Sequence, residues 1–201
     1  MNAVFTARNT AHGISTIPIE TEFLMNRELF VTDQIETKAM DSLIKQLIFL
    51  DRQDPEKEIV IYINTPGGEV RSGLAAYDVI KLLKAPVRTV CIGTAASMGA
   101  ILFMAGDKRE MLPHTKLMIH DPAPGGGSMQ GIKPGEMEEL LKDLISVRDE
   151  LCGIIAETTG KPVEEIRRAT AKDTYFSARE AVEFGIATGI FESLPPALET
   201  L

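Results

Sequence analysis

The feature that most constrains this chain is a pair of short apolar runs of β-type composition, each broken off by very small residues. Residues 58–63 read Glu-Ile-Val-Ile-Tyr-Ile, and residues 87–92 read Val-Arg-Thr-Val-Cys-Ile. The first is almost continuously apolar, the pattern of a strand covered on both faces, as in parallel sheets. It runs into Asn64-Thr65-Pro66-Gly67-Gly68. The second runs into Gly93-Thr94-Ala95-Ala96-Ser97-Met98-Gly99, ahead of an apolar helical run, Ala100 to Ala105.

Around these runs, helical and strand patterns alternate. Met40, Leu43, Ile44, Leu47 and Ile48 fall at helical spacing and predict a helix over 37–49. Ser72 is placed to cap a second helix reaching Leu83, stopped by Pro86. The longest helix is expected from Pro134, with apolar Met137, Leu140, Leu141, Leu144, Val147, Leu151, Ile154 and Ile155, and Gly160 ending it. A short helix follows from Pro162 to Thr170, and Ser177-Ala178-Arg179-Glu180 has capping-box spacing before a helix closed by Gly185. Short strands are expected at 28–31, 110–112 and 116–119. The alternation predicts a single α/β domain over 1–201 with right-handed crossovers. Residues 1–21 read as a polar, irregular arm and 193–201 as a weakly structured, proline-containing tail.

Composition excludes several classes. The net charge is −8 and no basic block collects phosphates, so a nucleic-acid partner is not expected. The longest uncharged apolar stretch, 91–106, is glycine-punctuated and shorter than the ~20 residues that span a bilayer. No secretory pattern opens the chain, and Cys91 and Cys152 sit in apolar contexts as buried thiols; a cytoplasmic protein away from membranes is expected. No phosphate-binding or dinucleotide glycine pattern occurs, and the histidines lack metal-ligand spacing.

Ser97 stands where small neighbours admit a substrate and backbone N–H groups at a helix start face developing negative charge. A serine hydroxyl needs a base, most often a histidine oriented by a carboxylate. Of the three histidines, His12 lies in the arm and His114 beside Pro113 in a turn. His120 ends an apolar strand and opens a glycine-rich loop, which makes it the candidate. Asp173, in a polar turn, is the candidate carboxylate. Asp121 is less suitable, because neighbours on an extended segment point to opposite faces. The competing reading makes Ser97 a helix cap, His120 a satisfied edge residue and Gly67-Gly68 a tight turn.

Four blocks then carry a resemblance: Tyr62-Ile63-Asn64-Thr65-Pro66-Gly67-Gly68, Gly93 to Gly99, Met118-Ile119-His120, and Asp173 to Gly185. In this order they closely resemble the proteolytic subunits of the Clp protease family, over about 28–190. The resemblance implies a crotonase-like α/β fold of repeated β-β-α units with a protruding handle helix, here within 121–159. It implies Ser97 as nucleophile, His120 as base, Asp173 as orienting carboxylate, and the N–H groups of Gly68 and Met98 as oxyanion hole. Substrate would pair as a strand along Gly68-Glu69-Val70. The resemblance further implies heptameric rings stacked as a tetradecamer, or mixed rings with a paralogue. They would degrade unfolded polypeptides delivered by an ATP-driven AAA+ unfoldase ring, with no cofactor in the protease itself.

The chain departs from the family pattern in four places. Asp121 follows the histidine where Gln is usual, and the loop after it is longer. Ala171-Lys172 replaces an acidic residue and Arg that link rings, and 23–27 match an Arg-Leu-Leu-Lys-Glu-Arg run only loosely. These departures point to a divergent paralogue. Two other functions stay open: a mainly structural ring subunit that needs an active paralogue, and a crotonase-type acyl-CoA enzyme.

Overall fold

The computed structural model describes residues 4–10, 13–124 and 131–191. In chain order the elements are β1 (Phe5–Thr10), β2 (Gly13–Pro18), α1 (Ile19–Met25), β3 (Glu28–Val31), α2 (Thr37–Gln53), β4 (Ile59–Thr65), α3 (Val70–Leu82) and β5 (Val87–Ala96). There follow α4 (Met98–Met104), β6 (Lys108–Met111), β7 (Lys116–Ile119), α5 (Pro134–Thr159), α6 (Val163–Thr170), β8 (Thr174–Ser177), α7 (Ala178–Phe184) and β9 (Gly189–Ile190).

The main sheet runs β3-β4-β5-β6-β9 and every neighbouring pair is parallel. β4 is buried at every position except Asn64, as its apolar run requires. β5 outlasts its neighbours, and the sheet forks along it. Arg88 to Cys91 pair with β6, whereas Thr94 to Ala96 pair in parallel with β7. Asn64 sits at the fork, its Oδ1 accepting the Thr94 N–H at 2.9 Å. β7 in turn pairs antiparallel with β8, placing Ile119 opposite Thr174.

The core lies between this sheet and its helices. α2 buries Met40, Leu43, Leu47 and Leu50, the face its spacing predicts. α4 is buried along its whole length. α5 divides in two: 134–146 contains no buried residue, and burial begins at Val147 and continues through Leu151, Cys152, Ile155 and Ala156. The first part therefore projects from the core as a handle. Its start is held by Glu136, whose carboxylate accepts the Lys133 N–H at 3.1 Å, and its end by Gly160 at φ 69°.

One buried cation joins helix to sheet. Arg27 is 3 % exposed, takes φ 63°, and donates to the carbonyls of Leu50, Asp54 and Lys57 at 2.9 Å each and of Glu58 at 3.2 Å. Its guanidinium thus ties the end of α2, where Leu50 O also accepts the Asp54 N–H, to the segment that leads into β4. Burial pulls its pKa down, while Asp54 and Asp51 oppose that shift.

Three expectations are corrected. The described residues of 1–21 are not irregular: β1 and β2 pair antiparallel, and α1 follows directly. Nearly all of β2 is exposed, so no apolar alternation marks it. Ser72 does not cap α3, which starts at Val70; the Ser72 hydroxyl donates instead to Glu69 Oε2 at 3.0 Å. β8 occupies what reads as a turn. The β-β-α order occurs at β1-β2-α1 and again at β6-β7-α5, with strands and helices alternating from β3 to α4 between them. The tail 193–201, His12, and 125–130 within the handle segment lie outside the described residues.

Candidate active site

The fork in β5 brings the functional side chains together through strand register. Parallel pairing sets Ala96 beside Met118, and the Ser97 N–H donates to Met118 O at 2.9 Å. Antiparallel pairing of Ile119 with Thr174 sets residue 120 beside residue 173. Three residues far apart in sequence therefore leave adjoining strand ends.

Ser97 sits at the N-cap position of α4 with φ 54° and ψ −122°. A non-glycine residue held there costs about 1–3 kcal/mol, and such outliers cluster at reactive positions. The hydroxyl makes no capping bond to α4. It lies instead 2.9 Å from His120 Nε2, and His120 Nδ1 lies 3.1 Å from Asp173 Oδ1. With its proton on Nδ1, the ring accepts the serine proton on one side and donates to the carboxylate on the other.

The histidine and the carboxylate hang from one turn at the end of α6. The Asp121 N–H donates to Thr170 O at 2.7 Å, and the Thr174 hydroxyl donates to Ala169 O at 2.7 Å. Sequence reasoning missed Thr170, because neither spacing nor residue type ties position 170 to position 121.

The glycine pair lies against the serine turn. A Cβ on Gly67 (φ 96°) would fall 2.7 Å from Ala96 O and 2.8 Å from Ser97 Cβ, so only glycine fits. A Cβ on Gly68 (φ 151°) would fall 2.2 Å from Ile35 O. Ile35 donates to Gly67 O at 2.8 Å and accepts from the Glu69 N–H at 2.9 Å. Because an extended backbone alternates its polar groups, the Gly68 N–H is directed away from Ile35. The Met98 N–H, first in α4, has no intrahelical acceptor.

Of the remaining site candidates, Val70 lines the cavity beside Ser97 as the first residue of α3. The Glu69 side chain turns elsewhere. Its carboxylate accepts from Thr37 at 2.7 Å and Ser72 at 3.0 Å, bonds that hold its pKa below the usual carboxylate range. His114 lies exposed in the turn between β6 and β7.

The cavity beside Ser97 is small, about 20 Å³. Met98, Ile101, Leu151 and Ile155 form apolar wall, and Asp121, Arg148, Cys152 and Thr170 add polar groups. Cys152 is 1 % exposed, as its apolar context predicts, with Sγ 3.7 Å from Thr170 Oγ1. Burial pushes its thiol pKa up. Residues 148 and 152 reach the cavity only because α5 docks there, a long-range event without local signature.

The arrangement offers an alcohol in contact with an imidazole that touches a carboxylate, beside two main-chain turns that present N–H groups. Among the described residues, no helix is long and apolar enough to cross a membrane. Residues 11–194 match the family model described as Clp protease. The mixed α/β architecture, with its parallel sheet and projecting α5, is the crotonase-like fold that this match carries. Because the match spans nearly the whole chain, this protein belongs to the Clp protease family.

Proposed function

We propose that the chain is a serine endopeptidase subunit in which Ser97 is the nucleophile, His120 the general base and Asp173 the orienting carboxylate. The observation that carries this is the unbroken chain of contacts, 2.9 Å from Ser97 Oγ to His120 Nε2 and 3.1 Å from Nδ1 to Asp173. His120 takes the hydroxyl proton as Oγ attacks the scissile carbonyl, and Asp173 stabilises the imidazolium that results. The N–H groups of Gly68 and Met98 receive the charge on the carbonyl oxygen. His120 then gives its proton to the leaving amine, and water releases the acyl group by the same steps. Substrate backbone pairs along Gly68 and Val70, past Glu69, using main-chain hydrogen bonds that tolerate many side chains.

The subunit works within stacked heptameric rings, homomeric or mixed with a paralogue, that enclose a cytoplasmic chamber. A AAA+ unfoldase ring delivers unfolded polypeptide, and the protease holds no cofactor. Met137, Leu141 and Ile145 support this assembly: they recur four residues apart on the projecting part of α5 and are 37–56 % exposed. Such a stripe suits burial against a partner surface.

The test is labelling of the purified chain with a fluorophosphonate, followed by peptidase and CoA-thioester assays. Labelling at Ser97 with peptide cleavage and no thioester turnover is expected. Asp173→Asn lowers kcat by on the order of 10²–10⁴-fold while the fold persists. Absence of labelling at Ser97, alone and with a paralogue added, refutes the reading.

A further inference from the structure

The turn that carries Gly68 is laced to a second segment, residues 33–37, at alternate positions. The Thr65 hydroxyl donates to Asp33 O at 2.6 Å and accepts the Gly67 N–H at 3.1 Å. The Ile35 N–H donates to Gly67 O at 2.8 Å, and Ile35 O accepts the Glu69 N–H at 2.9 Å. At the next step side chains take over. The Thr37 hydroxyl donates to Glu69 Oε2 at 2.7 Å, and the Ser72 hydroxyl reaches the same oxygen at 3.0 Å.

Within this lacing Gly68 is the residue whose own N–H is left over. It faces Ile35 as a single parallel bridge, and the bonds of that bridge belong to its neighbours Gly67 and Glu69. The direction of the Gly68 N–H therefore depends on how residues 65–69 are held against residues 33–37.

The two ends of the lacing differ. Thr65 is buried, and a Cβ on Gly99 would fall 2.4 Å from its Cγ2, so packing against α4 fixes that end. At the other end Thr37 and Glu69 are both exposed, and no packing holds them. Thr37 is the first residue of α2, which the buried Met40, Leu43, Leu47 and Leu50 anchor in the core. Glu69 immediately precedes α3, and its side chain makes no capping bond to that helix. A hydroxyl 2.7 Å from a carboxylate oxygen is at the distance of a charge-assisted bond. That bond ties the glycine turn to an anchored helix.

We propose that Thr37 and Glu69 are a positioning pair that holds the Gly68 N–H where the oxyanion forms. The proposal rests on the serine-peptidase reading of the same site, in which that N–H receives charge from the carbonyl oxygen. Neither side chain touches the substrate or the reacting atoms; both act through the main chain of residues 67–69. The oxyanion position is occupied only as the carbonyl carbon becomes tetrahedral. Loss of the tie therefore weakens the transition state and leaves ground-state binding as it was, so kcat falls while KM holds.

The experiment uses the full-length protein, a quenched-fluorescence peptide, and a peptide boronate whose tetrahedral adduct on Ser97 places an oxygen at the oxyanion position. Thr37→Val is expected to lower kcat by on the order of tenfold with KM unchanged, less than the loss of an oxyanion donor outright, on the order of 10²–10³-fold. Affinity for the boronate falls by the same factor, as for any transition-state analogue. Thr37→Ser keeps the hydroxyl and restores the parent kcat. Glu69→Ala reproduces the loss, and adding Thr37→Val to it costs nothing further, because both changes break one bond. The melting temperature stays within about 2 °C throughout. The pairing is wrong if kcat in Thr37→Val stays within about twofold of the parent, or if the two losses multiply in the double variant. It is also wrong if Thr37→Ser fails to restore kcat, if KM alone rises, or if kcat falls only as far as the melting temperature does. If the parent chain, alone and with a paralogue added, neither cleaves peptide nor binds the boronate at Ser97, the peptidase reading itself fails, and the proposal falls with it.

Discussion

Among the described residues, two that are not glycine take positive φ, Arg27 at 63° and Ser97 at 54°. They hold a similar backbone strain for opposite reasons. At Arg27 the conformation aims the side chain inward, where four carbonyls receive it. Every consequence of that geometry is spent on folding. At Ser97 the conformation turns the hydroxyl away from its own helix and toward His120. Nothing in the core needs that hydroxyl. A backbone outlier marks function only when the side chain it directs has no structural partner to explain it.

Three substitutions test this contrast. The largest effect is expected from Ser97→Ala, which removes the nucleophile and lowers peptide hydrolysis by about 10⁴-fold or more, with the melting temperature almost unchanged. Peptidase assay and calorimetry on the same sample check it. A large loss of stability instead would place Ser97 in the same class as Arg27.

Next comes Arg27→Ala, which removes the guanidinium from four carbonyls, of which Leu50 O keeps the Asp54 N–H. A stability loss of about 3 kcal/mol is expected, read as a fall in the denaturation midpoint. Surviving folded protein keeps an intact Ser97–His120 pair and still reacts with a fluorophosphonate. A change of less than ~0.5 kcal/mol, the range of ordinary surface substitutions, breaks the comparison.

The smallest effect, and the most discriminating, is Ser97→Gly. Glycine adopts φ 54° without steric cost, so the variant is inactive yet more stable by about 1 kcal/mol, or roughly 2–4 °C in melting temperature for a chain of this size. A drop in stability shows that the hydroxyl supports the fold after all.

Legibility from sequence followed burial. β4 and the buried face of α2 were readable because almost every residue that identifies them faces the core. The antiparallel pair of β1 and β2 was not, because nearly all of β2 is exposed and its pairing leaves no period in the residues. The start of α3 was misplaced because Ser72, a good capping type, spends its hydroxyl on Glu69 and Thr37. β8 has four residues and a single buried one, Phe176, too little to distinguish strand from turn. In the site, Ser97, His120 and Asp173 were legible as chemistry, and the structure brings the three together. Arg148, Cys152 and Thr170 were not, since α5 and α6 reach the cavity through tertiary docking alone.

The antiparallel rung between Ile119 and Thr174 has a consequence for the whole excursion between them. The chain departs and returns at facing positions, so the alignment of residue 120 with residue 173 is set by the ladder and is independent of how far the intervening segment travels. Lengthening or reshaping that excursion leaves the chemistry in tune.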